Sequence, residues 1–247
     1  MRTFTLYSSA AAPMLLIGGW LVAESRQPAA FDPMRDAISD LAAIGATDRA
    51  IMTVALAGTG LAHLVTAYGL TDAARPGRLL IALGGLATIL VAAFPLPEQG
   101  SSAAHTTVAT IAFLALAAWP LIARPRAASR TPSAQAGSPA PSAQAGSRTP
   151  SARAGSPAPS ARSAGRADAH RLPGETVAPT AETGDANGMP AVLRPPVSIV
   201  AGVVLLGLVG WFGVTLQGGG ALGLAERAAA AAQAIWPFIV AFSIRVR

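Results

Sequence analysis

Apolar residues fall in six long blocks, separated by short polar connections and one long one. The blocks run from Phe4 to Ala23, Ala50 to Leu70, Leu79 to Leu96, His105 to Ala123, Val197 to Leu216 and Arg227 to Val246. A membrane helix needs about 20 mostly apolar residues to cross a hydrocarbon core of about 30 Å. The pattern therefore predicts an all-α, six-span transmembrane bundle. The sixth block starts in an alanine run, and Ile235-Trp236-Pro237-Phe238-Ile239-Val240 supplies its apolar character. The first block has the alternative reading of a cleaved signal peptide, with Met1-Arg2 as a thin basic start. Its length, and Trp20 in the place of an interfacial aromatic, favour a retained span.

The first connection carries its own pattern. Asp32-Pro33 reads as a helix cap followed by the first helical position. Met34, Ile38 and Leu41 share one face at helical spacing, and Gly45 supplies a stop. A short amphipathic helix from Pro33 to Ile44 is expected, lying at the interface or over the mouth of the bundle. Asp36 and Asp40 fall on its opposite face, flanked by Arg35 and Ser39. Like charges four residues apart cost a helix about 0.2–0.5 kcal/mol. The pair invites a counter-charge: an arginine, a cation or a substrate amine.

The long connection is different material. Ser129 to Gly137, Ser138 to Gly146 and Ser147 to Gly155 are successive nine-residue Ser/Pro/Ala units, and a broken fourth begins at Ser156. None contains Leu, Ile, Val or Phe, so the units have no apolar face with which to stack and offset the entropy of ordering. Disorder is expected. The chain then divides into spans 1–4 (residues 1–123), a disordered loop (124–195) and spans 5–6 (196–247).

Composition agrees. Residues are 52% hydrophobic and 12% charged, with mean hydropathy +0.47, against about 25% charged in a soluble domain. All 18 basic residues are Arg, and there is no Cys. Schiff-base lysines, a Walker lysine, disulfides and cysteine metal sites are excluded. With the N-terminus inside and alternating spans, the inner segments hold 14 Arg and five acids, the outer ones four Arg and seven acids. Arginine enrichment on the cytoplasmic side is the positive-inside rule. Both termini are expected in the cytoplasm, in a plasma (inner) membrane. The basic balance points to anionic membrane lipid rather than nucleic acid.

Candidate chemistry collects on the outer side. Asp36 and Asp40 lie in the first outer loop, His105 at the start of the fourth span, and Glu226-Arg227 at the start of the sixth. They read either as an ion-pair and capping network that locks the outer loops, or as a ligand site. A metal site would have one His and three carboxylates without a tight spacing motif, and neither metal nor cofactor is expected. His63 sits 13 residues into the second span, about 20 Å deep at 1.5 Å per residue. It reads as a polar point in the membrane or as a neutral imidazole bonded to Thr59, Thr66 or another span. Gly58, Gly60, Gly84-Gly85, Gly207, Gly210 and Gly213 read as places of close helix approach.

Asp32 to Leu41, Gly60-Leu61-Ala62-His63, the His105 segment and Gly223-Leu224-Ala225-Glu226-Arg227 together resemble the bacterial membrane-protein family of domain of unknown function 998. The resemblance takes in both blocks of spans and skips residues 127–191. The Ile38-Ser39-Asp40-Leu41 core also resembles that of the DRAM and Sfk-like six-span proteins. The resemblance implies a six-span topology and makes Asp40, His105, Glu226 and Arg227 positions of interest. It implies no activity, and the Ser/Pro/Ala repeat departs from the compact family pattern. The leading expectation is a protein that binds or moves a small amphiphile or lipid. Asp36, Asp40, His63, His105, Glu226 and Arg227 would be its ligand-binding residues. Asp40 and Glu226 would hold a cationic or hydroxyl-bearing group, and Arg227 an anion or Asp40. The alternatives are a membrane-embedded hydrolase with His105 as base and Asp40 as its orienter, and a scaffold recruiting a partner through the arginine-rich loop.

Overall fold

Among the described residues, six helices account for nearly all the regular structure. They are α1 (Phe4–Glu24), α2 (Ala50–Gly69), α3 (Arg75–Ala93), α4 (Ala103–Ile122), α5 (Pro195–Thr215) and α6 (Leu222–Arg245). This is a computed structural model, and it describes residues 1–123, 190–218 and 220–246. The described residues all belong to one compact unit and contain no strand. The expected disorder of the Ser/Pro/Ala repeat lies outside the described residues. Residues 190–194, assigned to that loop from sequence, hold a 3-10 turn (Ala191–Leu193), and Leu193 is fully buried.

Each helix has 19 to 24 residues and is apolar enough to cross a membrane; at 1.5 Å per residue they are about 28–36 Å long. The protein is a multi-pass membrane protein of the all-α class. Consecutive helices pack on one another within spans 1–4 and again between α5 and α6. α4 packs on α5, and α6 returns to α1 and closes the ring. One face of the bundle carries the connections 25–49, 94–102 and 216–221, and we call it the loop face. The opposite face carries both chain termini.

Close packing follows the glycines, but not all of them. A Cβ on Gly60 would lie 2.4 Å from the Gly85 carbonyl oxygen, and one on Gly85 would lie 2.7 Å from that of Gly60. Gly84 faces the Leu116 side chain in the same way, and Gly58 meets Leu15. Gly207, Gly210 and Gly213 have nothing within 4 Å of such a Cβ. The close approach expected there is absent: Gly207 and Gly210 lie on an exposed side of α5, and Gly213 borders an open groove. Trp20 also departs from expectation. It is buried with Leu16, Ile38, Leu41 and Met52 in an apolar cluster at the loop face rather than placed at an interface. A second cluster, containing Leu70, Ile81, Trp119, Leu193 and Val240, fills the termini face. Buried polar residues, among them Thr59, His63 and Gln233, sit between the two.

Candidate functional site

The first connection does not form the amphipathic α-helix expected over Pro33 to Ile44. Asp32 does cap a turn, its Oδ1 accepting the Met34 N–H at 2.9 Å. Ala37 is then extended, and a 3-10 helix covers only Ile38–Ala42. The acids are the physical cause. The Asp36 carboxylate accepts the Asp32 N–H at 2.7 Å, and that of Asp40 accepts the Ala37 N–H at 2.8 Å. Each ends a local turn instead of projecting from a common helix face, as short acidic side chains that compete for backbone donors tend to do. The helix ends before the expected stop at Gly45: Ala43 is already extended, and Gly45, with φ +92°, takes the left-handed place in the following turn, in which the Ala46 N–H bonds the Ala43 carbonyl.

The α6 N-terminus docks on this connection. α6 begins at Leu222, five residues before the expected span, so Glu226 and Arg227 lie inside the helix. A Cβ on Gly223 would lie 2.3 Å from the Asp36 carbonyl oxygen, so only glycine lets the turn approach. Glu226, 4% exposed, accepts the Ile38 N–H at 2.5 Å and the Ser39 hydroxyl at 2.9 Å. It has no ion-pair partner among the described residues. Arg227 turns the other way. Its Nε donates to Glu24 Oε1 at 2.8 Å and its Nη2 to the same oxygen, while Nη1 donates to the carbonyls of Asp36 (2.8 Å) and Gly223 (3.0 Å). The expectation that Arg227 serves an anion or Asp40 is therefore corrected. Glu24, at the end of α1, has taken the guanidinium.

His105 is 5% exposed, and its Nδ1 lies 2.8 Å from the Phe94 carbonyl oxygen. A carbonyl only accepts, so Nδ1 carries the proton and Nε2 of the neutral ring is left as an acceptor. The backbone of Phe94, not Asp40, orients the imidazole, which removes the orienting role expected of Asp40 in a hydrolase. Asp40 keeps an exposed edge, yet desolvation of its carboxyl end raises it above the ordinary carboxylate range; the bond from Ala37 pulls the other way by less.

Two cavities meet at this point. A groove of about 1070 Å³, counting its open mouth, is bordered by Ser39, Asp40, His105 and Glu226 at one end. Apolar residues of α4, α5 and the start of α6 form most of its remaining wall, including Phe113, Leu114, Val209 and Phe212. A second, narrower space, about 600 Å³ when its open part is counted in the same way, lies between the helices and shares Ser39, Ala109, Phe113 and Glu226 with the groove. His63 lines it, together with Thr59, Thr88 and Gln233. The hydrogen bonds expected for His63 from Thr59 or Thr66 are not made. The Thr59 hydroxyl bonds the carbonyls of Ala55 and Ala12, and that of Thr66 pairs with Ser8. His63 Nδ1 is buried without a partner.

The sequence model of a family described as protein of unknown function (DUF998) matches residues 10–143, more than half of the chain. The chain belongs to the DUF998 family. Comparisons with curated proteins and with solved structures give no match. The match to DUF998 takes in Asp36, Asp40, His63 and His105 and ends before α5, so Gly223 to Arg227 lie outside it.

The sequence candidates thus divide in this DUF998 protein. Asp40, His105 and Glu226 line one groove, and His63 and Glu226 line one internal cavity. Asp36 and Arg227 line neither and belong to the structural lock. Among the described residues no group of three His, Cys, Asp or Glu is placed to hold a metal ion. Sequence reasoning passed over Glu24, Gln233 and Phe113. The first two had a visible signal, an acid at the end of a span and an amide in the middle of one. Phe113 is one apolar residue among many in α4, and only the position of the cavities distinguishes it.

Proposed function

We propose that this protein binds a small amphiphile or membrane lipid and holds it, or passes it on, with its polar head at Asp40, His105 and Glu226 and its apolar part along α4 and α5. One observation carries the reading: a single groove has those three residues and Ser39 in its wall, mostly apolar side chains beside the hydroxyls of Ser101, Thr106 and Thr110 along the rest, and no arginine among its described lining residues. Two acids, neither of them with an ion-pair partner among the described residues, suit an ammonium or a hydroxyl-bearing head. His105 Nε2 adds an acceptor for a head-group proton. A mostly apolar cavity with a few convergent polar groups is the usual form of a ligand site.

The test is binding of an alkylamine to the protein in lipid nanodiscs, corrected with empty discs. Glu226→Gln and Asp40→Asn should each weaken it about tenfold, since a charged hydrogen bond contributes about 1.5–3 kcal/mol. An alkyl carboxylate should bind no better than to empty discs. Equal binding by amine and carboxylate, unaffected by either substitution, would reject the reading.

We further propose that the loop face is extracellular and that both termini are cytoplasmic, in the plasma membrane. The arginine bias supports this, since Arg75, Arg78 and Arg245 lie at the termini face. The chain has no cysteine, so single cysteines report sidedness cleanly. In intact cells an impermeant thiol reagent should label Thr47→Cys and not Thr71→Cys, both at exposed positions. The reverse pattern would invert the topology.

A further inference from the structure

The internal cavity has features that a head-group site alone does not use. Its wall is polar at two levels and mostly apolar between them. Glu226 and Ser39 mark the upper level. Gln233 lies seven residues further along α6, and His63 seven residues beyond Leu56 on α2, all in the same wall. Both helices run inward from the loop face, so the two levels are about 10 Å apart at 1.5 Å per residue. Below His63 the bundle is closed by the apolar cluster around Leu70, Ile81 and Trp119. At its upper level the cavity adjoins the groove, with Ser39, Phe113 and Glu226 in the wall of both.

At the blind end the imidazole lacks what its chemistry needs. His63 is 1% exposed, and Nδ1 has no hydrogen-bond partner. Leaving such a group unpaired costs about 1–3 kcal/mol. Its polar neighbours are engaged elsewhere: Thr59 on Ala55 and Ala12, Thr88 on the Gly84 carbonyl, Gln233 on the Phe113 carbonyl. No residue of the lower level carries a fixed charge. An uncharged group that both donates and accepts would complement the imidazole.

We propose that the internal cavity takes the chain of an amphiphile that carries a hydroxyl about 10 Å from its cationic head, with the head at Glu226 and the hydroxyl on His63. This rests on the head-group site of the amphiphile reading above, and for a two-ended ligand it places the chain in the internal cavity instead of along α4 and α5. Ligands are selected because a buried site built to hydrogen-bond a hydroxyl discriminates against the analogue that lacks it.

The experiment compares, in nanodiscs, an amino alcohol with about seven carbons between its two groups, an extended reach of about 10 Å that matches the helical spacing, and the plain alkylamine of equal length. The amino alcohol should bind about fivefold to tenfold more tightly, the worth of one net hydrogen bond. His63→Leu should erase that advantage and leave alkylamine binding intact. His63→Gln, which keeps a donor and an acceptor, should retain part of it and serves if the leucine variant does not fold. Equal binding of the two probes to the native protein, or an advantage that survives in His63→Leu, overturns the proposal while leaving the head-group site standing. Failure of both probes to bind, with Glu226→Gln without effect, removes the amphiphile reading and this one with it.

Discussion

Replacing Arg227 with Met destabilises the folded bundle by about 3–5 kcal/mol, the cost of leaving a buried charge without its partner. The guanidinium and the Glu24 carboxylate are only 11% and 15% exposed, and two carbonyls also depend on it. Met fills similar space and supplies no donor. The Glu24 carboxylate, the Asp36 carbonyl and the Gly223 carbonyl all lose it together. The loss should appear as a lower midpoint in denaturant titrations of the detergent-solubilised protein. Arg227→Lys should recover only part of it, because one ammonium cannot reproduce a fork that reaches a carboxylate and two carbonyls. A variant within about 0.5 kcal/mol of the native protein, the range of an ordinary surface change, would mean that this lock is dispensable.

Gly60→Ala is expected to be almost as damaging, at about 3 kcal/mol, the upper end of overpacking penalties. The added methyl would meet the Gly85 carbonyl at 2.4 Å and the Ile89 nitrogen at 2.9 Å. Both are backbone atoms, so no side chain can swing aside and α3 must move from α2. Gly210→Ala is the matched control on α5, where a Cβ meets nothing within 4 Å. It should leave stability unchanged or raise it by up to about 1 kcal/mol, the helix-propensity difference between the residues. Folded yield and unfolding midpoint of the two variants, measured side by side, check the contrast. Equal behaviour would place the α2–α3 contact elsewhere.

These substitutions separate what is legible in the chain from what is not. The six spans could be read because length and apolarity alone decide whether a helix can cross a bilayer. The Asp32 cap could be read because it depends on neighbouring backbone alone. Gly60 and Gly210 look the same in sequence, yet only one has a helix against it. Arg227 had seven outer acids to choose from, and nothing local favours Glu24, 203 positions away. The expected Pro33–Ile44 helix failed for a related reason. Periodicity recorded the apolar face correctly, since Ile38 and Leu41 are buried, but it did not register that Asp36, Asp40 and Glu226 would each take a backbone N–H and break the helix into a turn and a 3-10 segment.

By itself, the sequence determined that this DUF998 protein is a helical membrane protein and that Asp36, Asp40, Glu226 and His105 collect at one face of the bundle, because partitioning into hydrocarbon depends on short stretches of composition. Tertiary structure alone decided that Asp36 and Arg227 hold the bundle together while Asp40, His105 and Glu226 border a groove, and that His63 is left unpartnered at the end of an internal cavity. Hydrogen bonds and cavities depend on atoms brought together from distant parts of the chain, and no local pattern encodes which of several chemically equivalent partners will arrive.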